Sequence, residues 1–299
     1  YLMSKHTAKE LLAKTITAIE GAYAPSTIRA YKSNFEQFIQ FCDESFVSAL
    51  PAEPQDVAKF VSKLTPSGLK SASIRIAIAS ISSIHKLNLL NDPTQHPIVK
   101  IEMRRMHRAL GRQSKQAFGI TAPILEKMLC ATNHNLRGIR DRALLLLAYD
   151  SMCRRSELVH LRTSDIKFDK SDMKIRLRKS KTDQELQGRW IFPTKRSTKA
   201  ITLWIDQAGL VDGYLFRGIN NGSDITKELK SGQINRIYKR LAKDAKLPED
   251  LIYRISGHSM RVGGAQDLLG LGASLPQIMT KGGWSKTDTV MRYVERSSS

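Results

Sequence analysis

The chain has 299 residues and carries 48 Lys and Arg against 28 Asp and Glu, a formal net charge of +20. Its 41% apolar share supports ordinary globular cores and excludes wholesale disorder, and its longest apolar stretch, Ala143 to Tyr149, is far too short for a membrane-spanning helix. A folded chain this basic repels itself until a polyanion neutralises it, so nucleic acid is the expected partner and a merely basic, ribosome-like protein the plainer alternative.

No secretory apolar segment opens the chain, which gives the expectation of a soluble protein of the cytoplasm, associated with the nucleoid, with no membrane partner. The three cysteines, Cys42, Cys130 and Cys153, are odd in number and have no metal spacing. Reduced thiols follow from that, and neither a metal nor a cofactor is expected.

The first part is expected to be all-helical. Thr7 and Glu10 form a capping-box pattern ahead of Leu11, Leu12, Ile16 and Ile19, and Gly21 ends that helix. Pro25 opens a second, with Ile28, Tyr31, Phe35, Phe38 and Ile39 on one face. Helices over 55–64, 71–87 and 98–110 follow, broken at Pro66 and Gly68 and again at Asp92 to Pro97. Several carry cations on the polar side. For any one helix that means a solvated face. Repeated through one basic domain it suggests a surface turned to DNA, with Arg29, Lys32, Lys70, Arg75 and Lys86 as candidate contacts.

Residues 113–118 lack periodicity and are expected to link a domain over 1–112 to a second over 119–299. The second opens with helices ending at Met128 and spanning 140–149. Strands are expected over 165–168, 173–178 and 189–192, the second alternating Met173, Ile175 and Leu177. Helices over 196–207 and 231–245 complete a mainly α domain that contains a small antiparallel sheet. Arg236, Lys239 and Arg254 are its candidate DNA contacts.

Chemistry gathers at the end. In Ser256-Gly-His-Ser-Met-Arg-Val-Gly264, His258 and Arg261 stand three apart at the start of an expected helix, and both leave its N-terminal end on nearly one side. Free N–H groups and the positive dipole end suit a phosphate there. Gly282-Gly-Trp284 and Val290-Met-Arg-Tyr293 follow. Taken singly, Tyr293 is an ordinary amphipathic-helix residue, His258 and Trp284 are core, and Arg154 beside Arg155 is surface charge. Lys181 has Lys179 two positions away, which could serve in its place.

Together, Arg154, Lys181, His258, Arg261, Trp284 and Tyr293 resemble the active site of the tyrosine recombinases, the phage and plasmid integrase family. The Ser256–Gly264 and Gly282–Trp284 runs are similar to its Cre-type branch. The resemblance implies a C-shaped clamp of two domains around double-stranded DNA and cleavage of one strand through a 3′-phosphotyrosine. It also implies a tetramer on two inverted-repeat sites, a dimer per site, serving integration or resolution of a mobile element, plasmid or phage.

On that resemblance Arg154 and Arg261 neutralise the phosphate and Tyr293 is the nucleophile. His258 takes or relays its proton, Lys181 protonates the leaving 5′ oxygen, and Trp284 binds the phosphate through its indole N–H. Glu157 orients a neighbouring cation. Cre-type members carry a further helix after the tyrosine that docks on a neighbouring protomer; six residues of the given sequence follow Tyr293. A type IB topoisomerase and a catalytically silent DNA-binding protein of the same fold are the alternatives.

Overall fold

The computed structural model describes residues 2–112, 116–178 and 188–294. The chain forms two compact units, residues 1–114 and 115–299. Of the segment 113–118, residues 113–115 lie outside the described residues, as do Lys179 and Lys181. Among the described residues no helix is long and apolar enough to cross a membrane.

Among the described residues the first unit has five α-helices: α1 Leu2–Ile19, α2 Pro25–Glu44, α3 Pro54–Leu64, α4 Ser71–Leu87 and α5 Pro97–Leu110. Helix α1 starts at Leu2, so Thr7 lies inside it and does not cap it; a local box pattern cannot exclude a helix already running through it. Proline opens α2, α3 and α5 at the first turn, where its missing N–H would have had no helical partner. The apolar stripes of α2, α3 and α4 meet in one core around Phe35, Phe38, Phe60, Ile74 and Ile81. In α5 only Val99 and Met106 are buried, and Ile101 is 47% exposed.

The second unit opens with α6 Ala122–Cys130, α7 Leu136–Ser151 and α8 Arg155–His160. Strands β1 Ile166–Asp169, β2 Asp172–Leu177 and β3 Arg189–Ile191 form an antiparallel sheet in chain order. Its register pairs Ile175 with Ile166 on one side and with Ile191 on the other. Met173, Ile175 and Leu177 point into the core while Arg176 is exposed, as a half-buried strand requires. Helix α9 Lys195–Ala208 packs on α7, and the indole N–H of its fully buried Trp204 donates to the Leu215 carbonyl at 2.8 Å. A two-stranded ribbon, β4 Ile219–Asn220 with β5 Asp224–Ile225, was not legible in the sequence because two-residue strands carry no alternation. Helices α10 Ser231–Asp244, α11 Glu249–Arg254, α12 Ser259–Gly270, α13 Leu275–Gly282 and α14 Thr287–Val294 complete the unit.

Helix α12 is sunk into the unit, with every residue from Ser259 to Ala265 buried. Gly263 permits this: a Cβ there would lie 1.9 Å from the Ile120 carbonyl oxygen. The segment entering α6 therefore runs directly against the helix, and the Ile120 N–H donates to the Ser259 carbonyl at 2.9 Å. The last three helices hold a separate small cluster of Met152, Ala265, Ile278, Trp284 and Val290.

One buried group makes the first unit sensitive to acid. His85 is fully buried; its Nδ1 lies 2.8 Å from the Ile81 carbonyl and its Nε2 accepts the Ala52 N–H at 2.9 Å. That pairing needs the neutral ring with its proton on Nδ1. Burial lowers the His85 pKa below 6.5, against the smaller opposing effects of the Ile81 carbonyl and Asp92. Below 6.5 the unfolded chain binds the proton first, so the contribution of His85 is complete above that value and is lost as pH falls through the depressed folded one. Urea unfolding between about pH 8 and pH 5 is expected to show falling stability with acid, with a shallower fall in His85→Gln.

Candidate active site

The site begins where α7 stops. Met152 caps α7 in the left-handed conformation, φ 50°, at a cost of roughly 1 kcal/mol for a residue with a Cβ. The turn sends the chain into extended backbone at Arg154, the N-cap of α8. Glu157, in the first turn of α8 and buried, accepts the Arg154 N–H at 2.7 Å and its guanidinium at 2.9 Å. One carboxylate thus caps the helix and fixes the direction of the arginine that precedes it.

Arg261 comes from the first turn of α12 and is 2% exposed. Its Nη1 donates to the Met152 carbonyl at 2.5 Å and to the Gly282 carbonyl at 2.9 Å. Its guanidinium lies 4.1 Å from the centroid of Trp284. Burial, then the neighbouring Arg154, push its pKa down to about 10, opposed by Glu157 and Tyr293, with Arg189 also lowering it. It remains a cation at neutral pH. The effect of Tyr293 sets the phenol within electrostatic reach of this guanidinium, and the Tyr293 ring lies 6.0 Å from that of Trp284. The order in space is arginine, indole, phenol.

Trp284 reaches this place because α13 ends in a pair of glycines. A Cβ on Gly282 would fall 2.0 Å from Trp284 Cζ3, so the ring folds back over the backbone of Gly282. Gly283 then takes the left-handed cap conformation, φ 66°.

His258 caps α12 at the exposed edge of the site. Its pKa is lowered first by desolvation against the protein and then by Arg261, Arg155 and Arg154. Desolvation and the surrounding cations thus both favour the neutral ring. Arg155, which the sequence offered only as surface charge, is therefore one of three guanidiniums acting on this imidazole.

The structure brings Arg154, Glu157, His258, Arg261, Trp284 and Tyr293 together; Lys181 lies outside the described residues. The candidate DNA contacts Arg29, Lys32, Lys70, Arg75, Lys86, Arg236 and Arg254 are exposed and Lys239 is half-buried. Lys86 is paired with Asp92 at 3.2 Å, and Lys239 donates to the Tyr253 carbonyl at 3.2 Å, so both arrive at any ligand already partnered.

Sequence reasoning missed Arg189. From β3 it donates to the Lys281 carbonyl at 2.6 Å and to the Ser151 carbonyl at 3.3 Å, with Glu157 at 4.0 Å. Arg189 and Arg261 thus grip adjacent carbonyls of the same two segments, 151–152 and 281–282. A single arginine opening a strand carries no spacing signal, and only the fold reveals the pairing.

A mainly helical unit with a small antiparallel sheet, presenting a guanidinium pair, an imidazole and a phenol to one place, defines a phosphodiester-handling enzyme. Residues 120–299 match the phage integrase family, and residues 17–89 match the phage integrase N-terminal SAM-like domain. The chain is 28% identical over 295 residues to the recombinase Cre of Escherichia phage P1, covering 93% of this chain and 86% of that protein. It is 26% identical over 305 residues to an integrase/recombinase XerD homolog of Selenomonas ruminantium, covering 97% and 87%. Among solved structures, a XerH site-specific recombinase bound to a palindromic difH substrate shares the fold with TM-score 0.69 and 18% identity, covering 98% of this chain and 82% of that one. A lambda integrase dimer bound to a COC′ core site shares it with TM-score 0.66 and 16% identity, covering 95% and 94%. The chain belongs to the phage integrase family. It is a tyrosine site-specific recombinase, an enzyme whose partner is DNA.

Gly282→Ala tests the geometry. The methyl must displace the indole, and overpacking of this kind costs about 1–3 kcal/mol. We expect a lower thermal midpoint together with loss of the tryptophan fluorescence change on DNA binding, whereas Gly270→Ala, in open space, leaves both unchanged.

Proposed function

We propose that this site cleaves and rejoins DNA through a covalent 3′-phosphotyrosine on Tyr293, with the roles that follow. The Tyr293 oxygen attacks the scissile phosphorus; the Oη–P bond forms as the P–O5′ bond breaks. Charge developing on the non-bridging oxygens is met by Arg154 and Arg261, whose fixed forked donors need no rearrangement at that moment. The phenol proton passes to neutral His258. Lys181 supplies a proton to the departing 5′ oxygen, a role that rests on its place in the sequence alone. Trp284 excludes water and offers its indole N–H to the phosphate. A free 5′ hydroxyl from another strand reverses the step; the ester conserves the bond energy, so no nucleotide cofactor is consumed.

The observation that supports this reading most directly is that Trp284 contacts both Arg261, at 4.1 Å, and the Tyr293 ring, at 6.0 Å. It gathers cation, indole and phenol from α12, the 283–284 turn and α14 in the segment that matches the family. The proposal extends, on the family resemblance, to paired inverted-repeat sites, each holding a dimer, brought together as a tetramer, in the service of integration or resolution of a mobile element; the palindromic substrate of XerH and the lambda integrase dimer on its core site are consistent with the first steps of it. Exposed cations on both units supply the contacts to the phosphate backbone.

On a nicked suicide substrate, wild-type protein is expected to form a denaturant-stable adduct and Tyr293→Phe none, with DNA binding near normal. An adduct surviving in Tyr293→Phe would end the assignment. Arg261→Lys keeps the charge but not the planar guanidinium, whose Nη1 holds both carbonyls and whose other N–H donors are left for the phosphate, and cleavage is expected to slow by on the order of 10²-fold or more. Footprinting is expected to show an inverted repeat with a short central spacer.

A further inference from the structure

Helix α12 does more than carry Arg261. Five residues further along it, half-buried Gln266 extends its amide toward α14, where Nε2 donates to the main-chain carbonyl of Tyr293 at 3.1 Å. The other end of the amide is fixed too: a Cβ on Gly119 would sit 2.3 Å from Gln266 Oε1, so the side chain is pressed against bare backbone at the entrance to α6. Its neighbour Asp267 anchors the same helix, accepting the Ala122 N–H at 2.7 Å and the Tyr149 hydroxyl. The α12 backbone is therefore braced from two directions at the point where Gln266 departs.

We infer that Gln266 is a positioning residue for the nucleophile: it ties the residue that attacks to the helix that holds the phosphate. The inference rests on the proposed role of Tyr293. One helix then sets both ends of the reacting distance. Arg261 fixes the phosphate from the first turn of α12, and Gln266 fixes the α14 backbone from the second half. The small apolar cluster beneath α14 buries Val290 but leaves Tyr293 only partly covered, and apolar packing is not directional. A hydrogen bond to the carbonyl of the nucleophilic residue supplies the direction that packing lacks.

The test separates attack by tyrosine from the rest of the chemistry. Gln266→Met keeps length and volume but has no donor; Gln266→Glu keeps the shape and sets an acceptor against the carbonyl. Gln266→Arg restores N–H donors, and the adjoining cavity of about 660 Å³ has room for its extra length. Two reactions are measured at saturating DNA. One is cleavage of the nicked suicide substrate, which needs Tyr293. The other joins a 5′-hydroxyl strand to a DNA end whose 3′ phosphate carries p-nitrophenol; there the aryl oxide leaves in place of tyrosine, and Tyr293 is not needed.

Gln266→Met and Gln266→Glu are expected to cleave on the order of 10- to 100-fold more slowly, with unchanged half-saturation by DNA, unchanged thermal midpoint and unchanged joining of the aryl ester. Gln266→Arg is expected to recover most of the cleavage rate. Equal losses in cleavage and joining, or cleavage at the wild-type rate in both donor-less variants, overturn the inference. Failure of the underlying reading looks different: wild-type protein then gives no adduct, or Tyr293→Phe retains one.

Discussion

The site of the second unit turns on a buried guanidinium that, among the described residues, is paired with no carboxylate. Arg261 is covered on nearly all sides, and its nearest acceptors are two main-chain carbonyls from segments about 130 residues apart in sequence, at Met152 and Gly282. Burying a charge is costly unless hydrogen bonds and partial charges replace the lost water. Carbonyl dipoles and the face of Trp284 do so while leaving the charge unneutralised. A carboxylate in the same position would stabilise the cation better and leave less for a phosphate. Glu157 instead binds Arg154 and only moderates Arg261 from a distance.

That choice explains the backbone around the site. Met152 holds a left-handed conformation because its carbonyl must face Arg261 while the next residues swing toward α8. Gly282 lacks a side chain because its carbonyl serves the same guanidinium and the indole lies over its Cα. Arg189 braces the two segments one residue away on each, at Ser151 and Lys281. The strain at Met152 and the bareness at Gly282 therefore share one cause, the seating of a single cation. The pKa of His258 belongs to the same setting: desolvation first, and then the guanidiniums of Arg261, Arg155 and Arg154, lower it and favour the neutral imidazole.

The phenol is attached differently. Tyr293 rides a short helix over a cluster separate from the main core of its unit. Tyr293 rests on a small apolar platform and on the hydrogen bond from Gln266. On the proposed reading the attacking residue is therefore tied to the same helix that carries Arg261.

The sequence by itself determined much of this. The helical periodicities of the first part, the Met173, Ile175 and Leu177 alternation in β2, and the order of arginine, histidine, arginine, tryptophan and tyrosine follow from local pattern and from residue types that only certain chemistries require. The family could be recognised because those residues occur in fixed order. Tertiary structure alone decided which carbonyls receive Arg261, that Arg189 shares its grip, that Arg155 acts on His258 and that Gln266 reaches the backbone of Tyr293. Each of these is a meeting between segments tens to more than a hundred residues apart, and all but the effect of Arg155 on His258 are made with main-chain atoms that every residue possesses. A carbonyl has no sequence signature, so the partner that matters most to a buried cation becomes visible only once the chain has folded around it.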